Sequence, residues 1–274
     1  MGGRRRGRRA AALGAAALLA LVVAAAAAPL VVEVDPYATD LGARLAPPGA
    51  GHPLGQDTLG RDVLARVLHG ARISLAVGLA AVLVSLAVGV TLGAAAGYLG
   101  GWVDEVLARV IDVLLAFPGL LLAIALAAVL GPSLRNVVLA LSLLGWTGYA
   151  RLARAEVAAL REREFVRAAE ALGAGPGRIV VRHLLPAAAP ALLVQATFGF
   201  AGAIVAESSL SFLGLGAPPP LASWGAMIDE GRPFLLVAPH LILFPGLALT
   251  ATVLVLQVLG DGLRDLADVR DRAR

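Results

Sequence analysis

The 274-residue chain contains no cysteine and no lysine; its 23 basic residues are all arginine. Charged residues make up 15% and aromatic residues 5%, against about 25% charged in a typical soluble domain. Each absence removes a class of chemistry. Without lysine there is no Walker-type phosphate loop, no Schiff base and no Ser–Lys dyad. Without cysteine there is no thiol nucleophile, no disulfide and no thiolate-held metal. The four histidines, His52, His69, His183 and His240, lie far apart and match no zinc-binding spacing. No metal site and no catalytic constellation is expected. If ATP drives this protein, another chain must bind it.

What is present is apolar. Hydrophobic residues make up 59%, 32 glycines come on top, and mean hydropathy is +0.83. A chain of this length cannot bury that much apolar surface in one water-soluble core. Its solvent is lipid, and a helix of about 20 apolar residues crosses the ~30 Å hydrocarbon layer. Six such spans are read: 10–32, 73–103, 106–130, 137–152, 187–213 and 239–260. The third carries Arg109 and Asp112 in its first turns, an i,i+3 pair. The first, after Arg4, Arg5, Arg6, Arg8 and Arg9, is read as a retained signal-anchor helix; its small run 24–28 also fits a cleaved signal peptide.

Six spans put both termini on one side. Seventeen of the 23 arginines then share that side, and six (Arg44, Arg61, Arg66, Arg72, Arg135, Arg232) lie opposite. Arginine accumulates on the cytoplasmic side, so both termini are expected there. The same sorting explains the isoelectric point near 10.5 without a nucleic-acid partner. Segments 33–70, ending in an amphipathic piece at 62–72, and 215–238 are expected outside; 151–185 is expected in the cytoplasm and ordered.

Within that cytoplasmic segment, Phe165, Ala168, Ala169 and Leu172 share one helical face, opposite a charged one. Gly173 offers the left-handed position that ends the helix, and Gly175-Pro176-Gly177 prevents continuation. The face fits docking into a partner's groove; an interfacial helix on lipid head groups is the other reading. In the second span Ser85, Gly89, Gly93 and Gly97 recur every four residues, a spacing that lets helices pack backbone to backbone. In-chain packing is the default. Glu207 is an acid inside the fifth span. It faces either a protein interior or wet cavity, or the outer interface. His183 and His240 are read as interfacial, and Asp229 and Glu230 as solvated.

The stretch through Ala168, Ala169, Gly173, Leu185 and Pro186 resembles the EAA loop of ABC importer permeases in its spacing. Arg167 stands where that family often has Glu, and His183 where it often has Ile. Further stretches resemble the dipeptide/oligopeptide/nickel permease group, C-type subunit. These are His52-Pro53-Leu54-Gly55 with Asp57, Arg61, Asp62 and Arg66; Phe117-Pro118; ESSLSFLGLG from Glu207; Trp224-Gly225; and Glu230-Gly231-Arg232.

The resemblance implies an all-α membrane protein, a type I ABC importer transmembrane domain of six transmembrane helices. It divides the chain into an N-terminal tail, first helix and external segment (1–71), a five-helix transmembrane domain (72–262) with its EAA coupling loop at about 151–186, and a cytoplasmic tail (263–274). It implies an inner-membrane permease for di- or oligopeptides that is not itself an enzyme, ATP and Mg being held by partner chains. Those partners are a second permease, two cytoplasmic ATPase subunits and an extracytoplasmic solute-binding protein. A homodimer of permeases is the variant assembly. Phe165, Arg167, Ala168, Ala169, Leu172, Gly173, Leu185 and Pro186 would make the ATPase-coupling element. The competing class is a stand-alone ion-coupled secondary transporter or channel, for which Glu207 would be the ion site. A membrane scaffold without solute flux is a third.

Overall fold

The computed structural model describes residues 2–31 and 34–271, with side chains from 7 to 27 and from 34 to 267. Val32, Glu33, Arg272 and Arg274, and the side chains of Arg4, Arg5, Arg6, Ala28 and Arg270, lie outside that description. The described residues are helical, apart from loops and two isolated bridges, Gly49↔His52 and Gln56↔Asp62.

Helix α1 covers Gly2–Val31. Helix α2, Val63–Leu99, starts where the Asp62 carboxylate accepts the Ala65 amide at 2.7 Å, satisfying one of the free amides of a helix start. It ends at Gly100, which has φ 66°. Its 37 residues reach about 55 Å, well beyond the hydrocarbon layer. The amphipathic piece expected at 62–72 is therefore no separate element but the first turns of α2.

The third span differs from expectation. It is broken into α3, Gly101–Leu115, and α4, Gly119–Leu130, bent by 80°. Pro118 has no amide to donate and disfavours helical backbone at Phe117, so the helix stops and restarts. The i,i+3 pair is also replaced. Arg109 bonds Glu105 one turn earlier, at 3.2 Å, and Asp112 is exposed.

Helix α5, Leu134–Arg161, leads into α6, Glu164–Ala171, and α7, Pro176–Ile179. A π-type turn, Val180–Leu184, joins α7 to α8, Leu185–Phe212, and the Leu185 amide reaches back to the Val180 carbonyl. Pro186 explains the widened turn, because its ring would strike the carbonyl four residues back in a regular helix. Helix α9, Trp224–Gly231, precedes α10, His240–Asp271.

Four helical stretches are long and apolar enough to cross a membrane: 7–27, Val63–Leu99, Pro176–Phe212 and His240–Ala267. The bent α3–α4 pair makes a fifth. Helix α5 has the length, 28 residues, but carries Arg151 and Arg154 and is less apolar.

Small residues set the packing. Gly89, Gly93 and Gly97 lie against the backbone of α5 at Trp146, Ala150 and Arg154, and Ser85 lies against Gly145. Contacts advance together along both chains, so α2 and α5 run parallel. Helices α1 and α10 run antiparallel, with Gly14 against Leu259, Gly262 against Ala11, and Gly7 beside Asp265. A central core joins Ala25 of α1, Ala71 and Leu75 of α2, Ala201 and Ile204 of α8, Trp224, and Leu256 of α10. Two further clusters mark the ends of the bundle. Ala94, Val157, Val166, Ile179 and Leu184 form the α6 end. Val63, Val67, Ala222, Met227, Ala238 and Leu241 form the α9 end.

Candidate functional site

At the α6 end, one side chain pins the short helix to the bundle. Val166 is fully buried among the ends of α2, α5 and α8. The charged-face reading missed it, although a valine between Phe165 and Arg167 marks an inward position. The Phe165 face looks the other way. Phe165 is 43% and Leu172 89% exposed; Ala168 is exposed and Ala169 half-buried. Arg167 is exposed, 3.7 Å from Glu162. Gly173 follows the helix with φ +80°, and its amide donates to the Glu170 carbonyl at 2.9 Å while that of Ala174 reaches Ala169 at 3.0 Å. These bonds close the helix end and let the chain turn back. Leu185 packs at the edge of the buried cluster, and Pro186 lies in the first turn of α8. The result is a stub anchored on one side and apolar on the open side.

The surroundings of that stub are tied together by arginines. Arg161 donates to the Tyr98 carbonyl at 2.6 Å, joining α5 to the end of α2. Arg154 pairs with Asp104 of α3, with Nη2 2.6 Å from Oδ2. A cavity of about 810 Å³ opens there, lined by Asp104, Arg151, Arg154, Arg161 and Gln195 among others. A second cavity, of about 320 Å³, lies deeper between α2, α4, α5 and α8, and Gln195 borders both.

Glu207 sits inside the protein, with no exposed surface. Ser74 donates to its Oε2 at 2.9 Å and Ser211 to its Oε1 at 2.7 Å, with Ser208 at 3.4 Å. A carboxylate in hydrocarbon costs at least ~2.5–3.5 kcal/mol on insertion scales; hydroxyl donors on both oxygens offset that. Glu207 therefore faces the protein interior and does not solvate at the surface.

The α9 end holds a buried charge cluster, and Glu230, which the sequence suggests is solvated, is part of it. Asp57 accepts the Leu59 and Arg61 amides at 2.8 and 2.9 Å and the Arg61 side chain at 2.6 Å. Arg66, fully enclosed, lies 3.3 Å from Asp57 and donates to Glu230 at 2.9 Å. Arg61 also donates to Glu230 at 2.9 Å. Glu230 is therefore the bridge between the pre-helix loop and α9, not a free surface acid. Trp224 adds a second tie, its indole N–H donating to the Val67 carbonyl at 3.0 Å. His240 is enclosed by protein, against the Gln56 carbonyl at 3.2 Å. The signal in the sequence was Asp57 four residues before Arg61, with Arg66 close behind, a spacing at which opposite charges pair. Among the described residues no group of three or more His, Asp or Glu is placed to hold a metal.

Comparison with known proteins agrees with this geometry. The family model described as "Binding-protein-dependent transport system inner membrane component" matches residues 89–272. The chain is 44% identical, over 88% of its length and 79% of the relative's, to the dipeptide transport system permease protein DppC of Alkalihalophilus pseudofirmus. It is 43% identical, over 81% of its length and 73% of the relative's, to the glutathione transport system permease protein GsiD of Pectobacterium atrosepticum. In fold it matches a structure of the MetNI methionine ABC transporter in an inward-facing conformation, at TM-score 0.59 and 18% identity, covering 74% of this chain and 97% of the other. The chain belongs to the family of binding-protein-dependent transport system inner membrane components, and it is a multi-pass permease of the ABC importer type.

Proposed function

We propose that this chain is one half of the transmembrane pathway of an ATP-driven importer for di- or oligopeptides. The substrate class follows its relatives, which are named as dipeptide and glutathione permeases. The single observation that carries the mechanism is the stub at the α6 end. Phe165 and Leu172 are presented outward on a helix whose other side is locked by Val166. An ATPase subunit receiving that face in a groove can push or pull it, and Val166 passes the displacement to α2, α5 and α8. ATP and Mg belong to that subunit, and this chain contributes no catalytic group. The arginine sorting supports placing the α6 end and both termini in the cytoplasm. The α9 end then faces an extracytoplasmic solute-binding protein. A second permease, similar or identical, completes the pathway.

ATP binding closes the ATPase pair and carries the coupling helices inward. The pathway opens to the binding protein, and hydrolysis returns it to the inward-facing state. The work comes from contacts that differ between the two states, not from chemistry in this chain. An ion-coupled carrier would need a free intramembrane acid, and Glu207 already has hydroxyl donors on both oxygens.

The test is affinity purification of the chain from mild detergent, with and without prior crosslinking in the membrane. The expected result is co-purification with ATPase subunits and a permease partner. Recovery of this chain alone under both conditions would overturn the importer assembly.

A further inference from the structure

We propose that the seam between α5 and α8 is the wall along which the cargo peptide passes, with Gln195 as the polar station that meets its backbone. This rests on the peptide-importer reading above. The two cavities both border Gln195, so together they trace one route from mid-bundle to the α6 end. Glycines floor that route: Gly145 and Gly148 on α5, Gly199 and Gly202 on α8.

Gly89, Gly93 and Gly97 serve close packing against α5, and Gly145 does so against Ser85. Gly148 and Gly202 are different. A Cβ at Gly202 would meet nothing within 4 Å, and one at Gly148 only the Gln195 amide nitrogen, at 3.7 Å. Gly148 and Gly202 are exposed. Their smallness keeps a surface clear and does not bring two helices together.

The second observation is Tyr149. It is 4% exposed, it lines the deeper cavity, and its buried hydroxyl has no hydrogen-bond partner. It lies against Gly199, where any side chain would displace it. An unpartnered hydroxyl in a low-dielectric region costs free energy, so the site requires a polar visitor. A lipid acyl chain cannot supply one.

The chemistry of the wall fits a peptide main chain. The Gln195 amide both donates and accepts, as does the tyrosine hydroxyl, and a peptide backbone offers both functions at every residue. The deeper cavity is lined by no charged residue, so it exerts no selection on cargo side-chain charge. The exposed Arg151 borders the wider cavity at the α6 end, where it would meet the free carboxylate of a departing peptide.

The native absence of cysteine makes the test direct. The importer would be purified through this chain and reconstituted with its binding protein. Gln195→Cys, Gly202→Cys and Leu193→Cys would be exposed singly to a water-soluble cationic methanethiosulfonate, with labelling of this chain read by mass. Leu193 is exposed on α8, two residues before Gln195 and about 200° round the helix. The expected result is labelling of Gln195→Cys and Gly202→Cys at least tenfold faster than Leu193→Cys. ATP with dialanine-loaded binding protein should slow Gln195→Cys at least threefold.

Labelling of both as slow as Leu193→Cys would mean that lipid or a partner helix covers the seam, and would overturn the proposal. Fast labelling that dialanine leaves unchanged, in an importer that does transport dialanine, would overturn it as well. Failure of the unmodified importer to take up dialanine or longer peptides would instead sink the peptide reading. The ratio of labelling rates under ATP turnover would still decide whether the seam is an aqueous wall.

Discussion

Arg66 has no exposed surface, and it is held there by acids from two different parts of the chain. Asp57 comes from the loop before α2 and Glu230 from α9, some 164 residues later than Arg66. Removing one partner of such a set leaves a buried charge uncompensated, which typically costs 3–5 kcal/mol. Asp57→Ala should therefore lower stability by about that amount, read as a lost or strongly depressed melting transition in detergent. A wild-type transition would show that the cluster is solvated after all. Glu207 gives the contrasting case. Glu207→Gln keeps one oxygen acceptor and loses the charge, so stability should fall by about 1–3 kcal/mol while ATP-driven uptake persists. Uptake abolished in a well-folded variant would give the carboxylate a transport role. These residues show where sequence reading ends. The position of Glu207 inside a span was legible, because position along a helix follows from counting. Its neighbours were not, since Ser74 is 133 residues away. The bridging role of Glu230 was hidden for the same reason: its partners are remote in sequence, and adjacent Asp229 and Arg232 made it look like surface.

At the scale of elements, periodicity exposed the amphipathic α6 and the left-handed Gly173, because both are local. It missed the inward anchor Val166, which a face-counting rule assigns to the polar side. It also merged α3 and α4, since apolar content does not register the break at Pro118. Two element-level predictions follow from the glycines. Gly173 has φ +80° and an added Cβ would meet nothing within 4 Å, so a side chain there is penalised by backbone conformation alone. Gly173→Val should preserve membrane insertion and the fold while changing the exit angle of α6, abolishing coupled uptake. Wild-type uptake at equal expression would refute the coupling role. Gly93 is the reverse case, a glycine with negative φ whose Cβ position is filled by the Ala150 backbone. Gly93→Val must push α2 from α5, at about 1–3 kcal/mol or more for overpacking. The expected readout is lower thermal stability in detergent, whatever the partners do. An unchanged melting temperature would mean the helices separate without cost, contrary to the backbone contact.

At the scale of the whole molecule, the parallel run of α2 and α5 constrains the topology. Helix α5 starts beside Ile73 and Val77 of α2 and ends beside Ala94 at the α6 end, so the intervening α3–α4 pair carries the chain back over that length. The break at Pro118 is then a feature of one pass, not a re-entrant loop. Helix α5 runs beside α2 from Ile73 to Gly97, despite Arg151 and Arg154. We propose six passes on this ground, α5 being added to the five apolar spans; the end of α10 lies at the start of α1, where Gly7 is beside Asp265. The arginine distribution supports the proposed direction, with the α6 end in the cytoplasm. A miscount by one pass would scatter the arginines to both sides of the membrane. The absence of native cysteine makes the outcome measurable with single thiols. Ala50, in the exposed loop before α2, and Gly177, exposed in α7 with nothing within 4 Å of an added Cβ, lie at opposite ends of the bundle. In intact spheroplasts a membrane-impermeant maleimide should label Ala50→Cys and leave Gly177→Cys unlabelled until the membrane is opened. The opposite pattern would invert the molecule, place Phe165 and Leu172 outside, and remove α6 from the proposed ATPase contact. Labelling of both in sealed cells would break the six-pass topology, because the two ends could not then be separated by an odd number of crossings.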